Sequence, residues 1–96
     1  LKNELKNKPK DINILIELSN KLYYAQKYEE SINYCLKVLA IDSLNKLAFN
    51  NMCSCYNQQN EWEKAKISCE NALKIDPDFQ IAKNNLNWTL GELKSQ

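Results

Sequence analysis

Four cysteines are the most reactive side chains in this sequence. They are Cys35, Cys53, Cys55 and Cys69, and the chain of 96 residues contains no histidine that could act as their base. All 13 basic residues are lysine and the single glycine is Gly91, so neither an arginine fork nor a glycine-rich phosphate loop can form. An unactivated thiol has a pKa of about 8.5 and little nucleophilic advantage. The sequence therefore predicts that the chain is not an enzyme and has no catalytic residues, no cofactor and no metal site.

Disulfide bonding and metal binding are the other uses of paired cysteines. Cys53 and Cys55 are two residues apart, and on a helix such a pair does not share a face. The absence of histidine also leaves no mixed metal site. The first residues, LKNELKNKPK, do not resemble a signal peptide. We therefore expect a cytoplasmic protein with four reduced cysteines that pack as small hydrophobic side chains.

The composition limits the class of partner. The formal net charge is +1, which gives no strong field for attracting nucleic acid or an anionic membrane. Hydrophobic residues make up 44% of the chain, yet no apolar run approaches the roughly 20 residues that a membrane helix needs. The sequence thus predicts a folded domain with a protein or peptide as its partner, and no nucleic acid or membrane partner.

An internal repeat organises the chain. Tyr28 and Trp62 begin similar segments, and their numbers differ by 62 − 28 = 34. The same offset of 34 separates Leu15 and Phe49, Leu18 and Met52, Cys35 and Cys69, Leu39 and Leu73, Ile41 and Ile75, and Asp42 and Asp76. A period of 34 residues is typical of a helix–turn–helix repeat unit.

Apolar residues within each unit follow a helical spacing. Leu15, Leu18 and Leu22 fall at i, i+3 and i+7, which predicts one buried face. Asp11 can cap the first complete helix, and Asn60 suits a tight turn because asparagine tolerates a left-handed backbone. Gln26, at the equivalent turn, is a poorer choice. The pattern predicts no strands, and helices near 1–7, 12–25, 28–41, 46–59, 62–75 and 80–93.

These features resemble the tetratricopeptide repeat (TPR) family over the whole chain. Residues 46–79 fit its pattern best, with Phe49, Met52, Cys53, Tyr56, Trp62, Ala65, Cys69, Ala72 and Pro77. Residues 12–45 fit less well, because Val38 replaces a small residue and Ser43 replaces a proline. The resemblance implies an all-α fold, a right-handed superhelical stack of antiparallel helix hairpins that is also called an α-α solenoid.

The TPR resemblance also implies how the chain is divided. The units are the tail of a preceding repeat helix at 1–11, repeat 1 at 12–45, repeat 2 at 46–79 and a half-repeat capping helix at 80–96. Because the chain begins within a helix, we expect a fragment of a longer protein. About three repeats are usually needed for stability, so self-association through exposed helix ends is a further expectation.

In the TPR family the first helix of each repeat lines a concave groove. The predicted partner-binding residues are Asn50, Asn51, Asn84, Asn85 and Trp88, followed by Asn20, Tyr23, Tyr24, Ser54 and Asn57. This set is rich in amides and poor in charge. Trp88 has two interpretations, because an exposed tryptophan can be a binding hot spot or can cover the end of the core.

The amides recur at the repeat period. Asn50 and Asn84 are one period apart, as are Asn51 and Asn85. Each amide carries a donor and an acceptor, so stacked amides could bond to the backbone of an extended peptide. This arrangement is similar to the asparagine ladder of protein O-linked N-acetylglucosamine transferases, in which the ladder residue stands at the sixth position of a repeat. Glu17 holds that position in repeat 1. The alternative is a set of solvated polar residues, because 14 of the 96 residues are asparagine.

A second resemblance is to the TPR domains of immunophilin-type co-chaperones, which clamp a C-terminal carboxylate with lysine and arginine. Asn20 and Asn51 match two neutral clamp positions, but Ile81 and Asn85 stand where the clamp needs cations. A carboxylate needs charged donors to offset its desolvation. The leading prediction is therefore a non-catalytic protein–protein interaction scaffold that binds a peptide or partner helix in the concave groove. The alternatives are a structural or oligomerisation segment of a larger multidomain protein and a co-chaperone-type TPR domain.

Overall fold

The computed structural model describes residues 11–96, which form five α-helices and no strands. The helices are α1 (Ile12–Tyr24), α2 (Tyr28–Ile41), α3 (Lys46–Gln58), α4 (Trp62–Ile75) and α5 (Gln80–Lys94). Each lies within one residue of its predicted range, and the helix predicted at 1–7 falls outside the described residues. In this described part, no helix has the length and apolar character that crossing a membrane requires.

Local polar groups set where the helices begin and turn. The Asp11 carboxylate accepts hydrogen bonds from the backbone N–H groups of Asn13 and Ile14 at 3.0 and 3.3 Å, so it caps α1 as predicted. Asn45 caps α3 in the same way. The turns within the two hairpins place Gln26 at φ 63° and Asn60 at φ 60°, in the left-handed region. The predicted turn positions are therefore confirmed, including the less suitable glutamine.

Each helix packs only against helices close to it along the chain. Consecutive helices contact one another, and α3 also contacts both α1 and α5. Among the five helices, α1 and α5 do not touch, which is the nearest-neighbour arrangement of a stacked repeat. The largest buried cluster joins the first hairpin to α3 and consists of Leu15, Ile32, Cys35, Val38, Ala48, Met52 and Cys55. A smaller cluster of Cys53, Ala65 and Cys69 lies inside the second hairpin and packs against Tyr56 and Leu86.

The cysteines differ from the prediction of four reduced thiols. Cys53 of α3 and Cys69 of α4 form a disulfide bond, whereas Cys35 and Cys55 are free and buried. Cys53 and Cys55 lie on one helix, and their spacing shows only that they do not share a face. The hairpin instead turns Cys53 toward the facing helix, where its Cα atom lies 5.4 Å from that of Cys69.

Candidate functional site

A cavity of about 380 Å³ opens along the face formed by α1, α3 and the start of α5. We call it the groove cavity; it is lined by Asn20, Tyr23, Tyr24, Leu47, Asn50, Asn51, Ser54, Phe79, Ile81 and Asn85. Seven of these ten lining residues are among the ten predicted contact residues. Because α3 packs between α1 and α5, repeat-equivalent positions on the three helices meet on this one face.

Two asparagines link the groove-lining helices by hydrogen bonds. Asn51 Nδ2 donates to Asn20 Oδ1 at 2.9 Å, which connects α3 to α1. One repeat later, Asn85 Nδ2 donates to Ser54 Oγ at 3.0 Å, which connects α5 to α3. In both cases the sixth position of a repeat bonds to the ninth position of the repeat before it. These amides therefore hold the stack together as well as line the cavity.

Each of these two amides makes a second bond at the same nitrogen. Asn51 Nδ2 also donates to Ser19 Oγ at 3.1 Å, and Asn85 Nδ2 also donates to Asn50 Oδ1 at 3.0 Å. Asn50 is only 6% exposed, so its amide forms part of the floor of the cavity. Asn50 is predicted to contact a partner, but its side chain is buried and its Oδ1 atom accepts from Asn85.

Three predicted contact residues do not line the groove cavity. Asn57 is buried between α3 and α5, where its Oδ1 atom accepts from Thr89 Oγ1 at 2.7 Å. Its prediction as a contact residue is corrected, because α5 covers the side chain. Asn84 is exposed and accepts a hydrogen bond from Gln80. Trp88 is half exposed and meets the Trp62 ring edge-to-face with centroids 5.8 Å apart, so it touches the core aromatic of repeat 2.

Aromatic rings form one end of the groove cavity. Tyr23 packs edge-to-face against Tyr24 and Tyr28, with ring centroids 5.3 and 5.7 Å apart. The Tyr23 hydroxyl accepts a hydrogen bond from Gln58, so this ring is fixed in place. Tyr24 is 82% exposed and is the most accessible ring of the group. Phe79, which precedes α5, was missed from the sequence because it lies outside the helix that the repeat pattern assigns to the groove.

The groove cavity has no charged side chain in its lining. Lys46, at the start of α3, forms an ion pair with Asp76 and lies over the Phe79 ring. The hydrogen bond from Lys46 is the largest of several effects that hold the pKa of Asp76 below its ordinary value. This lysine is therefore engaged at the edge of the cavity. The lining offers amide, hydroxyl and aromatic groups to a ligand.

The free thiols lie beneath the cavity and not in it. Burial raises the pKa of the Cys35 thiol to about 11, although a hydrogen bond with Ser19 partly opposes the shift. Burial also raises the pKa of Cys55. Both thiols are protonated at neutral pH and closed to solvent, so neither is an activated nucleophile.

The helix pairs, their period and the polar groove define a class of protein. Residues 47–79 match the family model described as "Tetratricopeptide repeat". The chain therefore contains a tetratricopeptide repeat at residues 47–79, as its sequence pattern predicts. Mouse (Mus musculus) "Sperm-associated antigen 1" is 32% identical to it over 72 residues, which is 75% of this chain and 8% of that protein. The chain thus spans only a small part of the length of that relative.

Solved structures show the same fold. The "NMR structure of the first TPR domain of the human RPAP3 protein" superposes with a TM-score of 0.90 at 17% identity, covering 98% of this chain and 74% of that one. The "Second TPR of Spaghetti (RPAP3) bound to HSP90 peptide SRMEEVD" gives a TM-score of 0.84 at 22% identity, covering 97% of this chain and 85% of that one. These neighbours establish the all-α helical repeat architecture.

Proposed function

We propose that the chain is a protein-interaction scaffold that binds a peptide or partner helix in the groove cavity. The observation that carries the proposal is the lining: amides of Asn51 and Asn85 beside the rings of Tyr23, Tyr24 and Phe79, with no charged side chain. Amides can hydrogen-bond to any polypeptide backbone, and aromatic rings supply contact area with little loss of side-chain entropy. The near-neutral net charge gives nucleic acid or a membrane no comparable attraction.

A peptide with a C-terminal carboxylate is the second candidate, because the second TPR of Spaghetti is bound to an HSP90 peptide. That peptide, SRMEEVD, is acidic at its C-terminal end. A carboxylate that leaves water needs charged hydrogen-bond donors to offset the cost of its desolvation. The groove cavity offers none, and Lys46 beside it is paired with Asp76. We therefore rank this candidate below a partner that binds through its backbone.

Site-specific photocrosslinking in cells of the source organism tests the groove proposal. A photoreactive phenylalanine analogue replaces Tyr24 in the groove cavity or, as the matched control, Leu36, which is 49% exposed on α2. We expect the probe at Tyr24 to crosslink a defined segment of another protein, and the probe at Leu36 not to. Adding Asn51→Ala and Asn85→Ala should reduce the yield about tenfold or more, because both amides lose their bonds to the partner and to the neighbouring helices that shape the groove cavity.

The crosslinked species distinguish the alternatives. Crosslinks from Tyr24 to another part of the same polypeptide, or to a second copy, would favour a structural or oligomerisation segment. A segment ending at a free carboxylate would favour the co-chaperone-type function. Equal crosslinking from the two probe positions would rule out the groove as the binding surface.

A further inference from the structure

The disulfide between Cys53 and Cys69 lies directly beneath α5. Cys53 belongs to α3 and Cys69 to α4, and within residues 11–96 these are the two helices that α5 contacts. Leu86 of α5 packs on the buried cluster that contains both cysteines. The covalent bond therefore joins the two helices on which α5 rests.

Asn57 connects the disulfide to α5. It stands one helical turn after Cys53 on α3, and its Nδ2 atom lies 3.9 Å from Cys53 Sγ and 3.5 Å from the backbone oxygen of Asn85. Its Oδ1 atom lies 2.7 Å from Thr89 Oγ1. Asn85 also lines the groove cavity. A single buried side chain thus contacts a sulfur of the disulfide and the helix that completes the cavity.

The packing around the disulfide leaves little free space. Cys53, Cys69 and Ala65 are all 0% exposed, and so is Ala82 of α5. Protein interiors are packed as densely as organic crystals. Two separate thiols take up more space than a disulfide, because reduction breaks the sulfur–sulfur bond and adds a hydrogen to each sulfur. Reduction therefore overpacks the cluster, and a neighbouring helix has to move.

The helix that can move at the lowest cost is α5. It is the last of the described helices and contacts only α3 and α4, so it can shift without disturbing α1 or α2. Reduction also removes the crosslink between α3 and α4, which weakens the surface under α5. The groove cavity includes Ile81 and Asn85 of α5. Displacement of α5 consequently removes one wall of the cavity.

We propose that the thiol–disulfide state of Cys53 and Cys69 controls whether α5 is docked, and thus whether the groove cavity is complete. The disulfide form docks α5 and the dithiol form releases it. As a control of ligand binding this inference rests on the proposed function, whereas the change in α5 needs no ligand.

The reductant in this reaction is a low-molecular-weight thiol such as glutathione. One glutathione thiolate attacks a sulfur of the disulfide and forms a mixed disulfide, which leaves the other cysteine as a thiolate. A second glutathione thiolate attacks the mixed disulfide and departs as glutathione disulfide. The two protons of the glutathione thiols end on Cys53 and Cys69. Glutathione disulfide reverses both steps and supplies the oxidant.

Hydrogen exchange followed by mass spectrometry tests the inference on the 96-residue chain. The chain is equilibrated with glutathione or with glutathione disulfide, and its mass shows whether the pair is reduced. We expect the backbone amides of α5 to exchange about tenfold or more faster in the reduced protein, with less than about a twofold change in α1 and α2. The control variant Cys53→Ala/Cys69→Ala keeps Cys35 and Cys55, and its exchange should not respond to glutathione.

Three results would overturn the inference. They are equal exchange of α5 in the two states, equal acceleration of all five helices on reduction, and failure of Cys53 and Cys69 to oxidise in the folded chain. The absence of any crosslink from Tyr24 in either redox state would contradict the proposed function alone, because the exchange of α5 is measured without a ligand.

Thermodynamic linkage gives a second test. If reduction favours an undocked α5, a change that weakens docking must also favour reduction. Thr89→Val removes a buried contact between α5 and Asn57. Its equilibrium constant for reduction by glutathione should therefore rise about fivefold or more, whereas Asn87→Ala, at an exposed position of α5, should leave the constant unchanged. Equal constants for the wild type and Thr89→Val would overturn the inference.

Discussion

At the scale of single residues, the polar side chains inside this helical stack are fully paired. Among residues 11–96, no buried side-chain nitrogen or oxygen lacks a hydrogen-bond partner. Ser19, Ser31 and Thr89 are fully buried, and each bonds across to another helix or to its own backbone. An unpaired buried polar group costs about 1–3 kcal/mol. These bonds therefore fix the register of one helix on the next.

Repeat 1 has no disulfide at the positions equivalent to Cys53 and Cys69. Cys53 and Cys69 of repeat 2 correspond to Ser19 and Cys35, whose Oγ and Sγ atoms lie 3.2 Å apart. Repeat 1 therefore already brings the two side chains together, and Ser19 differs from cysteine only in carrying oxygen in place of sulfur. Replacing this one atom would give the oxidised protein two disulfides instead of one.

We predict that Ser19→Cys forms a second disulfide with Cys35 under oxidising conditions. Alkylation of the unfolded protein without reduction should modify two cysteines in the wild type and one, Cys55, in the variant. Closing the loop should stabilise the fold by about 3 kcal/mol, offset by about 1 kcal/mol for the lost hydroxyl bonds. The double variant Ser19→Cys/Cys35→Ser is the control. Three modified cysteines in Ser19→Cys would show that the two repeats differ in geometry at this point.

At the scale of elements, the sequence predicts the helices well because their signals are local. Apolar spacing, the cap at Asp11 and the repeat offset each depend on neighbouring residues, and all five described helices lie within one residue of the prediction. The neighbours that Asn57 and Cys53 contact depend instead on how α3 is rotated about its own axis relative to the helices packed against it. No local sequence pattern determines that rotation. This explains why the disulfide and the burial of Asn57 were missed.

The sequence predicts only part of the groove lining, because some of the lining depends on how the helices pack against one another. Repeat positions taken from the TPR family place Asn51, Asn85, Tyr23 and Tyr24 on the face that lines the groove cavity. They do not show that these amides also bond to Ser19 and Ser54, because those bonds depend on how neighbouring helices pack. Phe79 was missed because it precedes the helix on which the family pattern is defined.

The turn of the first hairpin contains a local weakness. Gln26 has φ 63°, a conformation that costs a residue with a Cβ atom about 1–2 kcal/mol. We predict that Gln26→Gly raises the free energy of unfolding in urea by about 0.5–1 kcal/mol. This value is the strain that is relieved minus the larger conformational entropy that glycine loses on folding. Lys27→Gly is the control, because Lys27 has φ −100° and should give no gain. A gain no larger than that of the control would mean that the turn is not strained.

At the scale of the whole molecule, the stack has no contact that joins its two ends. Among the described helices, α5 touches only α3 and α4, and α1 touches only α2 and α3. Stability in such an arrangement is close to a sum of local and nearest-neighbour terms. A groove built from α1, α3 and α5 therefore depends on two separate interfaces, and either can open without the other.

The interface of α5 with α3 includes one buried polar pair. Thr89 is 0% exposed, and its Oγ1 atom lies 2.7 Å from Asn57 Oδ1, which is buried with it. Valine has nearly the shape of threonine but cannot hydrogen-bond, so Thr89→Val removes the contacts of Oγ1 with Asn57 Oδ1 and with the backbone oxygen of Asn85 inside the protein. The expected cost is about 1–3 kcal/mol. Because α5 is an end helix of the described stack, this cost should appear first as local opening of α5.

We predict that Thr89→Val speeds backbone hydrogen exchange in α5 by about tenfold or more, with a much smaller change in α1 and α2. Asn87→Ala, on the exposed side of α5, is the matched control and should leave exchange nearly unchanged. The groove cavity should weaken with α5, because Asn85 would move with the helix while Asn51 keeps its bonds to α1. Uniform acceleration across all five helices would show instead that the stack unfolds as one unit, so that its two interfaces are not independent.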